Sequence, residues 1–311
     1  VESLEPEPPD PVRRPAWRRW LDRGLLVAGL ALLVFVISRF PLDEIGRACL
    51  HLGPVVLVTP LITLASMVAS AASLGTLAGS VPKRALMWNR VVGEGFNTLL
   101  PAGIAGEPFK IRHLARHVPR PRAIVAVVND YFIDTVVGLL LSAGAIAISV
   151  ELLDTPPHLR AGMISYSIVA TVVAAGIATM ITLAATGRIA ARWFRGAAVR
   201  VAQRRFAIAV LCSIAARLIL IAEIVLLLWL LEIEPTVARV MFIAGANAAA
   251  GYLGFAVPQA IGVTEAATVG VFAFLALPAP AALAFALARR GRMLVMGAVG
   301  VALYLAARDR R

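Results

Sequence analysis

Four stretches of this chain contain no Asp, Glu, Lys or Arg: residues 48–82, 161–187, 240–264 and 266–288. About 20 predominantly apolar residues are enough for a helix to cross the hydrocarbon core of a bilayer. With no water there to satisfy exposed N–H and C=O groups, such segments fold as helices. Four of them in 311 residues make the chain a polytopic, all-α integral membrane protein. Composition agrees: 60% of residues are apolar and 15% charged, where soluble domains carry about a quarter charged, and the mean hydropathy is +0.84. An ordinary soluble enzyme and a disordered chain are both excluded.

Residues 1–22, with Glu2, Glu5, Glu7 and a run of prolines, read as a disordered tail, and 23–307 as a single transmembrane domain. Spans are expected at 24–38 with its flanks, 54–79, 123–150, 162–185, 207–231 and 239–257, followed by a short apolar piece, 263–277, and a long one, 280–307. The total is about seven or eight transmembrane helices, with crossing or re-entry of 263–277 left open. Ser38-Arg39-Phe40-Pro41 is no signal-peptide cleavage site, so the first span is expected to stay attached. Starting from a cytoplasmic N-terminus, the inside loops 1–23, 80–122 and 186–206 hold nineteen Lys and Arg against four in the outside loops. That bias predicts a multi-pass protein of the bacterial inner (plasma) membrane with its N-terminus in the cytoplasm. The net charge of +12 is thereby explained as topology, and no nucleic-acid partner is expected. The loop 186–206, with Trp193 and Phe194 among six arginines, reads either as an interfacial helix or as the positive-inside signal alone.

Two segments break the helical pattern, one near 96–108 and one near 255–266. The first runs through Asn97, Pro101, Ile104, Gly106 and Glu107, and the second through Asn247, Pro258, Ile261, Gly262 and Glu265. Each has an Asn, then a Pro, then Ile, Gly and Glu within the next seven residues. Pro and Gly interrupt the hydrogen-bond ladder and free backbone polar groups. At bilayer depth such groups are tolerated only against protein or a wet cavity. A pair of breaks in the two halves of a chain points to a transport site built from broken helices; two ordinary loops of chance likeness are the plainer alternative.

These segments resemble the transmembrane region of the lysylphosphatidylglycerol synthases, a group also described as flippase-like integral membrane proteins. The first family signature is matched by Asn97, Pro101, Gly106, Glu107, Lys110 and Arg112, and the second by Pro258, Gly262 and Glu265. A family Glu-Arg-x-x-Asp is matched in part by Asp130-Tyr131-Phe132-Ile133-Asp134, where the arginine is missing, and a late arginine by Arg289 or Arg290. The resemblance covers about residues 20–307. It implies a protein that translocates, or helps translocate, an anionic phospholipid between leaflets. The full-length synthases add a soluble aminoacyl-transferase domain after the membrane region; residues stop four beyond the last span here, so lysyl transfer is not expected.

Ionisable side chains at bilayer depth are costly unless paired or hydrated, which makes each a functional candidate. Asp130 and Asp134 share a helix face, repel one another and are expected to find cations, with Arg217, Arg289, Arg290 and Arg292 as the available partners. Arg217 and Glu223 lie six residues apart, about 120° off a common face, so each is expected to seek another helix. Glu107 and Glu265 also suit helix starts, where a carboxylate meets free N–H groups. Lys110, Arg112 and Arg116 form a basic cluster fit for a phosphate or for a solvated face. His113 and His117 have metal-ligand spacing but no evident third ligand, and no nucleotide or hydrolase motif occurs, so no metal, cofactor or catalytic residue is assigned. The expected head-group site comprises Glu107, Lys110, Asp130, Asp134, Glu265 and Arg290. The rival functions are a membrane-embedded enzyme on a lipid-linked substrate, and a subunit that presents lipid to a separate transferase.

Overall fold

The computed structural model describes residues 47, 50, 52–99, 106–153, 155–185, 203–254, 257 and 260–308. The expected tail, the first span, most of the basic loop 186–206, and both Pro101 and Pro258 lie outside the described residues. Among the described residues a 3-10 turn, Gly53–Val58, precedes nine α-helices: α1 (Thr59–Ala78), α2 (Lys83–Leu99), α3 (Gly106–Leu114), α4 (Arg120–Leu152), α5 (Pro157–Ala185), α6 (Gln203–Leu230), α7 (Val237–Leu253), α8 (Val263–Phe274) and α9 (Ala279–Arg308).

Local chemistry sets several of these boundaries. Pro60 and Pro121 stand in the first turns of α1 and α4, where a missing N–H costs nothing. Gly79 closes α1 at φ +91°, a conformation open to glycine. Thr236 caps α7 by accepting the Arg239 N–H. Helices α1, α4, α5, α6 and α9 are long and apolar enough to cross a membrane, whereas α7 and α8 have only 17 and 12 residues. At 1.5 Å per residue α8 covers about 18 Å, short of the hydrocarbon core on its own. The segment 80–122, expected as a cytoplasmic connector with an apolar middle, contains α2 and α3.

Leu140, Ile148, Ile168, Val169, Val172, Met180, Leu211 and Leu294 point away from the protein. A soluble domain would not present so many large apolar side chains; hydrocarbon accepts them. The interfaces carry small and hydroxylated residues instead, as helix contacts in lipid do. Helix α1 packs on α6 with Ser66 Oγ donating to the Ala216 carbonyl at 3.0 Å. Helix α4 meets α7 where Ser142 Oγ donates to the Gly245 carbonyl at 2.9 Å. Helices α2 and α9 cross at Gly95 and Gly300, so closely that a Cβ on Gly300 would lie 2.5 Å from the Val91 carbonyl oxygen. One helix at each break, α2 before the first and α8 after the second, packs against α9.

Candidate functional site

Arg90, Gly93 and Asn97 follow helical spacing and share one side of α2. Across the first break the Gly106 N–H donates to Asn97 Oδ1 at 2.7 Å, and Asn97 Nδ2 donates to Glu107 Oε1 at 3.1 Å. Lys110 Nζ donates to the same Glu107 oxygen at 2.6 Å. The lysine is buried, its stem lies over Gly93, and its carbonyl accepts from Asn89 Nδ2. Glu107 occupies the first turn of α3, where the helix dipole favours an anion. Asn97, Gly106, Glu107 and Lys110 therefore form a polar set that staples α3 to α2.

The α4 carboxylates turn to different partners. Asp134 pairs with Arg217 of α6 at 2.8 Å and accepts from Ser213 at 3.1 Å. Asp130 does not take Arg217, Arg289, Arg290 or Arg292, which the sequence offered; it pairs with Arg90 of α2 at 2.9 Å and accepts from Ser73 at 2.7 Å. The reason is geometric: four residues displace Asp134 by about 6 Å and 40° along α4, enough to face a different neighbour. Arg90 also stands within electrostatic reach of Asp134 and Glu107, which links the two sets. Gly138 leaves the room in which Arg217 and Tyr252 lie beside α4.

At the second break Gly262 precedes α8 at φ +78°, in the left-handed region that disfavours any side chain. Its N–H donates to Glu265 Oε2 at 2.7 Å, half of a capping box, since glycine has no side chain to return the bond. Glu265 Oε1 accepts Arg290 Nε at 2.7 Å, and Thr264 bonds both residues. Arg290 is the twelfth residue of α9, about 17 Å from its start and so well inside a span of this length. One and two residues on either side, Arg289 and Arg292 join it around a cavity of about 80 Å³, lined also by Asn247, Glu265 and Thr268. Arg292 pairs with Glu223 of α6 at 2.6 Å, both buried. Arg289 Nε is buried with no hydrogen-bond partner, its guanidinium beside Arg290, Arg292 and Glu223.

The expected residues thus gather in two groups rather than around one point. Glu265, Arg289 and Arg290, with Glu223 through Arg292, surround the α7–α8–α9 cavity; Asn97, Gly106, Glu107, Lys110, Asp130, Asp134 and Arg217 form the network on α2, α3, α4 and α6. Arg112 lines a separate cavity near the end of α9. Sequence reasoning did not include Arg90, Arg292, Asn247 or Tyr252 in the site. Arg90 was detectable from its spacing with Gly93 and Asn97 once the connector is read as a helix, and Asn247 from the echo of Asn97 before the second break. His113 is stacked on Trp88, ring centroids 4.2 Å apart, which gives it a packing role.

A family model described as the lysylphosphatidylglycerol synthase TM region matches residues 23–300. No curated protein matches the chain.

Proposed function

The chain belongs to the lysylphosphatidylglycerol synthase transmembrane-region family, and from that premise we propose that it binds the phosphate of an anionic phospholipid and moves it between leaflets. The α7–α8–α9 cavity carries the argument. Three guanidinium groups meet two carboxylates there, which leaves one positive charge in excess among the described residues. A phosphodiester supplies one negative charge and several acceptor oxygens. Arg289 and Arg292 each have an unpartnered Nε, and Arg289 is the one that is not in an ion pair among the described residues; guanidinium suits phosphate geometry. Glu265 and Glu223 hold Arg290 and Arg292 in place, so the acids position the bases. The acyl chains remain among the lipid-facing side chains of the outer helices. The setting is the bacterial inner membrane with the N-terminus inside, the orientation that the Lys and Arg distribution supports.

The test is reconstitution of the chain in liposomes with a fluorescent phosphatidylglycerol and an impermeant quencher. Head-group exchange above that of empty vesicles is expected, and its absence with and without an ion gradient overturns the proposal. Arg289→Gln is the informative variant, because it leaves no paired carboxylate behind. A hydrogen bond to a charged group contributes about 1.5–3 kcal/mol, so exchange should fall about tenfold while the melting temperature holds. Chemical conversion of the labelled lipid would favour the enzyme reading instead.

A further inference from the structure

We propose that the cavity between α2, α3 and the last turns of α9 is a second phosphate site, which receives the head group of an anionic lipid at the membrane boundary. It rests on the lipid-carrier reading for its membrane setting but shares no lining residue with the α7–α8–α9 cavity. Its volume is about 240 Å³, somewhat below the roughly 300–1,000 Å³ of pockets for drug-sized ligands. That is room for a head group and not for a whole lipid.

Arg112 and Arg116 supply the charge. They stand four residues apart, Arg112 in the last turn of α3 and Arg116 just beyond it, and both are exposed. Trp88, Phe109, His113 and Tyr304 form the wall. The rings brace one another: Trp88 lies 4.2 Å from His113, and Phe109 meets Tyr304 edge-on at 4.9 Å. Tyr304 is four residues from the end of α9. Trp and Tyr favour the head-group level of a bilayer, where their apolar rings and polar tips are both satisfied. The site therefore combines two phosphate-binding guanidiniums with an apolar wall at the depth where lipid phosphates lie. On the charge-based orientation this is the cytoplasmic leaflet, so the pocket loads lipid before it reaches the buried arginines.

The experiment measures binding of short-chain phosphatidylglycerol to the full chain in detergent micelles, for the wild type, Arg112→Gln/Arg116→Gln and Arg289→Gln. Two classes of site are expected, one weakened at least fivefold by the double variant and the other by Arg289→Gln. The two arginines are exposed, so an unchanged melting temperature is expected and shows that the double variant is folded. Binding by that variant equal to wild type overturns the second site and leaves the lipid-carrier reading intact; equal binding by Arg289→Gln alone counts against that reading and not against this site. Glycerol phosphate and diacylglycerol are the comparison ligands. Weaker competition by both than by the intact lipid supports a lipid head group; glycerol phosphate competing as well as the lipid overturns it in favour of a soluble phosphate ester.

Discussion

Arg292→Met should destabilise the folded chain by about 3–5 kcal/mol, the usual cost of stranding one member of a buried ion pair. Glu223 is fully buried and Arg292 nearly so, at 0% and 7% exposure. Removing the arginine leaves a fully buried carboxylate without its ion-pair partner, and one of its oxygens already lacks a hydrogen-bond partner. The pair is not an efficient stabiliser in its own right, since Arg292 Nε is also unsatisfied. Replacing both, as in Glu223→Leu/Arg292→Met, should therefore recover most of the loss. Thermal melting of the two variants in detergent checks this, and a single variant as stable as wild type would refute it. The double variant should nevertheless transport poorly, because it removes Glu223, the carboxylate beside Arg289, and leaves Arg289 facing Arg290. Stability regained without transport would separate the packing role of the pair from its electrostatic one.

Much of the architecture follows from composition alone, because hydrocarbon admits so few backbone solutions. The uncharged block 48–82 contains α1, 161–187 covers most of α5, and 240–264 and 266–288 bracket α7, α8 and the start of α9. The breaks are legible for a related reason: Gly262 and Gly106 stand where a helix must restart, and each is followed by the acid that suits its first turn. Partner choice is not legible. Asp130 and Asp134 look equivalent on a helical wheel, yet one faces α2 and the other α6, and only the packed arrangement of the neighbours decides it. Helix α2 escaped detection because charge is what marks a connector in a membrane protein. Lys83, Arg84, Arg90 and Glu94 resemble a solvated loop until Arg90 is seen to neutralise a buried acid. Counting charges by loop thus conceals those that neutralise buried acids.

Gly106→Ala should disable the first break with a single methyl group. A Cβ at this position would run into the Gly93 carbonyl and lie 2.8 Å from Asn97 Oδ1. Backbone atoms cannot yield as a flexible side chain does, so α3 would have to withdraw from α2. Withdrawal opens the bonds from Gly106 to Asn97 and from Asn97 to Glu107, and leaves Lys110 with its stem off Gly93. Overpacking of this kind costs about 1–3 kcal/mol, to which the loosened polar bonds add. Transport should fall to the background of empty vesicles, with a lowered melting temperature. Gly144→Ala is the control: a Cβ there meets nothing within 4 Å, and alanine in a helix interior is favoured over glycine by about 1 kcal/mol. That variant should melt at or above the wild-type temperature and transport normally. If Gly106→Ala behaves like Gly144→Ala, the docking of α3 on α2 carries no function, and the polar set built on Asn97, Glu107 and Lys110 is only a structural clasp.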